Sequence, residues 1–183
     1  MLELLSRNYN RGVEECYLYE IGNIFIPNEI PVKTLPEENK ILSFGMYGEK
    51  DFYYLKEVIN KTLDRLGIKD IEYIREENNP TLHPGRTAKL VLDGEEIGII
   101  GEVHPDVCNN YDVNDKIYLG QLHFDKIIEK VNLDVKFKGL PKYPSMLRDM
   151  AILIDKDVLV GEIEKIILRH GEGLIEKVQL FDI

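Results

Sequence analysis

Two histidines, each followed by proline, are the residues of this sequence best suited to acid–base or metal chemistry. They are His83 and His104, and an Asp-Gly pair lies midway between them. Imidazole titrates near neutral pH and is a common zinc ligand. Carboxylates of the same region could complete a site of this kind; they are Glu76, Glu102 and Asp106. The sequence therefore allows a small metal-dependent hydrolase that uses His83 and His104.

The spacing around these histidines favours a structural role instead. Closely spaced HxxxH and HxH patterns, from which rigid metal sites are often built, are absent from the sequence. Proline cannot donate to a strand ladder, so each His-Pro pair is expected to end a strand and begin a turn, with the imidazole bonded to a nearby backbone group. A phosphate-binding loop, a GxSxG elbow and a dinucleotide fingerprint are absent too. We predict no catalytic, cofactor-binding or metal residue.

The element that positions the histidines is a predicted β-hairpin. Asp93-Gly94 lies between two β-rich runs, and such a pair favours a type I′ turn, in which both central residues have positive φ. A two-residue turn at this point fixes the register of the strands. The predicted pairs are Leu90 with Ile97, Ala88 with Ile99, Arg86 with Gly101, and His83 with His104.

Hydrophobic periodicity predicts further helices and strands around this hairpin. One helix is expected to begin at Asp51 as N-cap and to stop at Gly67, with an apolar stripe that covers a sheet. Further helices are predicted at 2–8 and 125–131, and strands at 17–27, 41–48, 71–75 and 116–124, with a loop at 27–40. After residue 149 a strand, a helix at Leu159–His170 and a last strand form a β-α-β unit. Both ends of the chain are expected to be truncated.

Composition excludes several classes of protein. A formal net charge of −10 argues against a free-standing nucleic-acid binder, because phosphate affinity comes mainly from Lys and Arg. Residues 130–150 are the local exception, where five basic residues meet two acidic ones, although a solvated linker has the same composition. Cys16 and Cys108 are too few for a disulfide framework and are expected to be reduced. Without a membrane span or signal peptide, the protein is expected to be cytoplasmic.

Five segments in order resemble the C-terminal part of the bacterial phenylalanine–tRNA ligase β subunit. They are YEIGNIF at 19–25, DFYYLKEVI at 51–59, HPGRTAKL at 83–90, IGIIGEVHPDV at 97–107 and YPSMLRDMAILI at 143–154. The resemblance implies an α+β fold: a class II synthetase-like antiparallel sheet flanked by helices, followed by a partial ferredoxin-like β-α-β unit. The implied domains are a non-catalytic synthetase-like domain at 1–139 and a truncated anticodon-binding domain at 140–183.

The resemblance also implies partners and roles. The chain would support aminoacylation of tRNA(Phe) by packing on the catalytic α subunit of an α2β2 heterotetramer, without binding a cofactor itself, while ATP and magnesium act elsewhere in that complex. Asn8 and Arg11 lie where a class II ATP-binding arginine is expected, but NYNRG lacks the Arg-x-Glu pattern. Lys138, Lys142 and Arg148 are the predicted tRNA-phosphate contacts. Besides the hydrolase, a ferredoxin-like ligand sensor at 149–183 remains a weaker alternative.

Overall fold

Six strands pair into one antiparallel sheet in the computed structural model, which describes residues 1–134, 143–155 and 158–181. Contacts divide the chain into two units, Met1–Asp134 and Val135–Ile183. The elements of the first unit are α1 (Leu2–Tyr9), β1 (Cys16–Ile26), β2 (Glu37–Tyr47), α2 (Phe52–Arg65), β3 (Glu72–Arg75), β4 (Leu82–Leu92), β5 (Glu95–Val103), α3 (Pro105–Asn109), β6 (Ile117–His123) and α4 (Phe124–Lys130). The strand order is β1-β2-β6-β5-β4-β3.

A hydrophobic cluster lies on each face of the sheet. On one face α2 and α4 cover a cluster that includes Leu90, Ile100 and Leu122. On the other face α1 and α3 cover a second cluster, centred on Leu5, Tyr47 and Ile117. Alternate residues of the strands supply the two clusters, since successive side chains of a strand point to opposite faces.

Helix α2 follows the prediction at both ends. The Asp51 carboxylate accepts a hydrogen bond from the Tyr54 backbone N–H at 3.1 Å, which satisfies one of the free donors of the first turn. Leu55, Ile59 and Leu63 are buried against the sheet. The helix ends at Arg65, and Gly67 adopts a φ of 75° just after it. An L-residue with a side chain rarely adopts this conformation, so glycine suits the stop.

The turn of the predicted hairpin is confirmed, but the predicted register is wrong beyond its first two pairs. Asp93 and Gly94 have φ values of 51° and 81°. An irregularity between Leu90 and Val91 then shifts the ladder, so the observed pairs are Leu90 with Gly98, Ala88 with Ile100, and Thr87 with Gly101. The extra residue on β5 lets Ile97 and Ile100 both enter the α2 cluster. Strict alternation could not place two residues three apart on one face.

The predicted loop at 27–40 is too long at its C-terminal end. Residues 37–40 belong to β2 and pair with residues 23–26 of β1 without interruption. They are polar because this part of the hairpin is exposed on both faces, and a polar strand cannot be distinguished from a loop by hydrophobic alternation.

The second unit contains one helix among its described residues, α5 (Val160–His170), in agreement with the predicted helix. The described parts of the two predicted flanking strands, at 150–155 and 174–181, are not in a ladder. A two-stranded element has little stability of its own, which is consistent with the absence of a strand ladder in the described part of these segments. Residues 156–157 and 182–183 lie outside the described part of the chain.

Gly67 makes a close contact whose importance can be measured. A Cβ atom on this residue would lie 1.9 Å from the backbone oxygen of Asn132, and the Asn132 N–H donates to the Leu66 carbonyl at 3.0 Å. We predict that Gly67→Ala lowers the free energy of unfolding by clearly more than the roughly 1–2 kcal/mol that a left-handed conformation costs an L-residue.

Gly94→Ala is the matched control. Its φ of 81° is also left-handed, but a Cβ there would meet nothing within 4 Å. Urea denaturation of both variants separates the backbone cost from the steric clash. Equal losses would contradict the role assigned to the contact between Gly67 and Asn132.

Candidate partner-binding surface

An apolar strip runs along the edge strand β1. Tyr17, Tyr19 and Ile21 pair with Met46, Phe44 and Leu42 of β2, so they lie on the face that α2 covers further along the sheet. Over β1 this face is exposed: Tyr19 retains 75% of its accessible surface and Phe25 retains 61%. The Tyr17 ring lies 6.0 Å from the Tyr54 ring of α2. We refer to Tyr17, Tyr19, Ile21, Phe25 and Tyr54 as the apolar strip.

The composition of the apolar strip is typical of a protein interface. Aromatic residues are enriched where proteins bind one another, because they bury a large area with few rotatable bonds. Scattered single apolar residues are common on protein surfaces, whereas a contiguous row is not. The only charged residue of β1 is Glu20, which lies on the opposite face of the sheet from the strip. On the face of the strip, Asn23 separates Ile21 from Phe25, and Lys40 and Glu38 of β2 lie opposite Asn23 and Phe25.

The hairpin of β1 and β2 continues beyond the rest of the sheet as an arm, residues 23–40. Strand β6 ends at His123, opposite Ile41, so none of the described strands lies beside the paired residues of the arm as a third strand. The Lys40 N–H donates to the Asp125 carboxylate of α4 at 2.8 Å and fixes the base of the arm. We refer to residues 27–36 as the tip loop. Ile30 and Leu35 of this loop are 88% and 90% exposed.

The opposite face of the sheet contains a hollow of about 190 Å³ between Met1, the segment around Thr81 and the strands. Its floor and walls carry no charged side chain; the lining residues are Met1, Ser43, Phe44, Asn79, Thr81, Leu82, Ile99, Leu119, Gly120 and Gln121. Beside it Lys89 forms ion pairs with Glu76 and Glu96 at 2.9 and 3.1 Å. The pKa of Glu76 is lowered by the Asn78 backbone N–H and by Lys89. The side chains that line the hollow include no Lys, Arg or His, so they supply no positive charge to bind a phosphate.

The two histidines are close together, but each is bonded to the backbone. His83 Nδ1 accepts from the Gly85 N–H at 3.0 Å, and His104 Nδ1 accepts from the Asp106 N–H at 3.2 Å. The rings stack with centroids 6.3 Å apart. Because Nδ1 accepts a hydrogen bond, the neutral ring carries its proton on Nε2, which leaves no free lone pair for a metal. The predicted bond from each imidazole to the backbone is confirmed.

Of the carboxylates near the histidines, Glu102 is occupied, whereas Asp106 is largely exposed with an oxygen 3.5 Å from His104 Nδ1. The predicted ladder pair is absent. Leu82 pairs with Val103 and the next pair is Thr87 with Gly101, so His83 and His104 are not partners in the ladder. Buried Glu102 accepts from Arg86 Nη1 at 2.7 and 2.8 Å. In the described residues, no group of three or more His, Cys, Asp or Glu is arranged to hold a metal.

The two cysteines are free and buried, and both belong to the second hydrophobic cluster. Burial raises the pKa of Cys16, against a smaller lowering from the Tyr47 hydroxyl, and it also raises the pKa of Cys108. Both groups therefore remain thiols rather than reactive thiolates at neutral pH. Their surroundings fit the structural role predicted for them.

The predicted tRNA contacts are only partly described. Lys138 and Lys142 lie outside the described residues, and Arg148 is exposed. Lys130, at the start of the basic segment, forms an ion pair with Asp93 at 3.2 Å. No helix of the described residues is long and apolar enough to cross a lipid bilayer.

The apolar strip and the tip loop were not identified from the sequence. The sequence did contain an indication of the tip loop. Ile30, Val32 and Leu35 interrupt a segment that otherwise contains prolines and polar residues. In β1, aromatic and β-branched residues occupy both faces, a pattern shared with buried central strands. An edge strand with that composition is distinguished only by its neighbours in the sheet.

Comparison with known proteins gives two family matches. Residues 1–124 match the model described as "Phenylalanyl tRNA synthetase beta chain CLM domain". Residues 141–183 match the "Ferredoxin-fold anticodon binding domain". Two matched solved structures are of pyrrolysyl-tRNA synthetase from Desulfitobacterium hafniense. The first has a TM-score of 0.56 and 14% sequence identity, and the match covers 71% of this chain and 47% of that one. The second has a TM-score of 0.57 and 15% sequence identity, and the match covers 70% of this chain and 46% of that one. This likeness shows the fold alone. It confirms the predicted class II synthetase-like sheet flanked by helices.

The curated relatives are similar along the whole chain. The phenylalanine–tRNA ligase β subunit of Clostridium tetani is 45% identical over 183 residues, and that of Clostridium acetobutylicum is 43% identical over the same length. The Bacillus subtilis β subunit is 33% identical over 194 residues. In each case the match covers all of this chain and 23–24% of the relative. The chain therefore spans about a quarter of the length of these relatives.

The role of His104 as a helix cap can be tested directly. It is the N-cap of α3, and removing a capping side chain typically costs about 1 kcal/mol. We predict that His104→Ala lowers the free energy of unfolding by about this amount, whereas His104→Asn retains most of it.

The same variants test metal binding. Urea denaturation is repeated with an excess of Zn²⁺, which stabilises any protein whose folded state binds it. We expect the midpoint to be unchanged by the metal. A midpoint that rises with Zn²⁺ in the unaltered chain and not in His104→Ala would support the hydrolase and contradict the capping role.

Proposed function

Because the chain belongs to the phenylalanine–tRNA ligase β subunit family, we propose that it is a non-catalytic piece of that enzyme which packs on the catalytic α subunit. In this role it supports aminoacylation of tRNA(Phe), while the reaction, with its ATP and magnesium, takes place on other parts of the complex. The assembly is an α2β2 heterotetramer in the cytoplasm. The observation that carries the proposal is the apolar strip, a row of exposed aromatic and aliphatic side chains on an ordered edge strand.

The electrostatics of the chain support a bracing role. Candidate acid, base and metal-binding groups are engaged with one another or with the backbone: Glu102 with Arg86, Glu76 with Lys89, and each histidine with an N–H. Catalytic sites, by contrast, keep such groups available to a substrate and tune their pKa values for proton transfer. An interface needs no free titratable group, only an apolar centre that excludes water.

A contribution to tRNA binding is the second part of the proposal. It is supported by the match of residues 141–183 to an anticodon-binding domain. Lys138, Lys142 and Arg148 are the cations proposed to contact phosphates. Contacts of this kind position an RNA without reading its bases.

Binding of the α subunit tests the first part. We predict that Tyr19→Glu weakens the affinity of the chain for a recombinant α subunit at least tenfold, because a carboxylate would have to be desolvated in the centre of the strip. Isothermal titration calorimetry measures the affinity, and a thermal melt shows that the exposed substitution leaves the fold intact.

Tyr53→Glu is the matched control. Tyr53 is 71% exposed, similar to Tyr19, but it lies on the side of α2 that carries Lys56 and Asn60 toward Tyr73 of β3, away from β1. We expect Tyr53→Glu to bind as the unaltered chain does. Equal affinity for Tyr19→Glu and the unaltered chain would contradict the proposal that the strip is the contact.

The salt dependence of tRNA binding tests the second part. We predict that changing Lys138, Lys142 and Arg148 to Gln in the assembled α2β2 enzyme weakens tRNA(Phe) binding and flattens the plot of log K against log salt by about 2, since each phosphate contact contributes roughly 0.7–0.9 to the slope. Filter binding at several salt concentrations gives both quantities.

The matched control changes Lys61, Arg65 and Lys69, two lysines and one arginine in the last turns of α2 and the segment after it, to Gln. The total charge of the enzyme then changes by the same amount. An unchanged slope in the first triple variant, or an equal change in both, would refute phosphate contact at the predicted residues.

A further inference from the structure

The tip loop has a composition unlike that of an ordinary surface turn. Its aliphatic residues are almost fully exposed, with Ile30 at 88%, Leu35 at 90% and Val32 at 59%. None of the three belongs to either hydrophobic cluster of the described residues. The loop joins the two strands of a ladder that is regular over its whole length. Three aliphatic side chains are thus presented to solvent by an ordered support.

The charges of the tip loop argue against RNA as its binding partner. Lys33 is the only cation in the tip loop, and it forms an ion pair with Glu29 at 3.6 Å. Glu37 and Glu38 follow the loop directly and are exposed. Phosphate binding requires unpaired Lys or Arg, and base stacking requires aromatic rings, neither of which the tip loop provides.

The charge of the whole chain argues against a second copy as the partner. Each copy carries a formal net charge of −10, so that association of two copies is opposed by electrostatic repulsion. A partner that places basic groups beside Glu37 and Glu38 has the complementary charge.

We propose that the tip loop inserts Ile30, Val32 and Leu35 into an apolar pocket of the catalytic α subunit, with basic groups of that subunit facing Glu37 and Glu38. The inference rests on the proposed function, because the arm continues the same strand that carries the apolar strip. The strip then forms the broad part of the contact and the tip loop anchors its far end. Burying these aliphatic side chains in a pocket removes apolar surface from water, which stabilises the complex.

Because Ile30 and Leu35 are exposed, their substitution tests binding without changing the stability of the fold. Since Ile30 and Leu35 contact almost nothing in the free chain, the double variant Ile30→Ser/Leu35→Ser should melt at the temperature of the unaltered chain. We expect its affinity for the recombinant α subunit to fall at least 30-fold, the loss typical of a true anchor residue. The conservative variant Ile30→Leu/Leu35→Ile should bind within a few-fold of the unaltered chain.

The control removes a similar apolar area elsewhere. Leu133 and Ile128 are 68% and 52% exposed, and Ile128→Ser/Leu133→Ser is expected to bind normally. Light scattering of the chain alone is measured in parallel. A tip-loop-dependent dimer of the isolated chain would overturn the assignment of the pocket to the α subunit.

The outcomes separate this inference from the proposed function. If the tip-loop variant binds as tightly as the unaltered chain while Tyr19→Glu binds weakly, the inference is wrong and the proposed function stands. If the unaltered chain does not bind the α subunit at all, both are wrong. A loss in the tip-loop variant alone, with the conservative and control variants unaffected, supports the insertion.

Discussion

The whole first unit depends on the position of its last strand. Strand β6 lies between β2 and β5, and so it joins the β1–β2 hairpin to the β4–β5 hairpin. Ile117 and Leu122 of β6 are completely buried, one in each hydrophobic cluster. Without β6 no ladder would join the two hairpins, and an isolated hairpin is at best marginally stable in water.

This central strand also explains why the chain has a protruding arm. Since β6 is shorter than the hairpin it supports, the ladder of β1 and β2 continues beyond it with no third strand from the described residues beside it. Helix α4 begins where β6 ends and bonds to the arm at Lys40 through Asp125. One element therefore completes the core and also fixes the base of the surface proposed to bind a partner.

Local signals in the sequence identify most of the fold, and tertiary constraints account for the errors. The cap at Asp51, the stop at Gly67 and the turn at Asp93-Gly94 depend on a few neighbouring residues, and each is confirmed. The register beyond Leu90 depends on the fit of Ile97 and Ile100 against α2, which no local rule contains. The strip was missed for the same reason: only the strand order reveals that β1 is an edge strand.

The region of His83 and His104 illustrates how a promising motif can be structural. Nucleophilic and acid–base sites require groups whose bonding capacity is left for a substrate. Here His83 lies in the irregular ladder after Leu82 and His104 caps α3, and each Nδ1 accepts from an N–H two residues later. Arg86 neutralises the buried Glu102. The bond of each imidazole to the backbone was predicted from the sequence, but the break in the ladder between His83 and His104 was not.

The unsupported ladder of the arm has a consequence for how such chains diverge. Within the part of the chain that the structure describes, residues 23–26 and 37–40 form ladder pairs only with each other, so lengthening or trimming the hairpin there leaves the packed layers untouched. Each added pair of residues would extend the reach by about 3.4 Å and reverse the side on which later side chains emerge. Insertions of two pairs at a time would preserve that side. The length of the arm can therefore change in discrete steps during evolution without changing the stability of the packed part of the first unit.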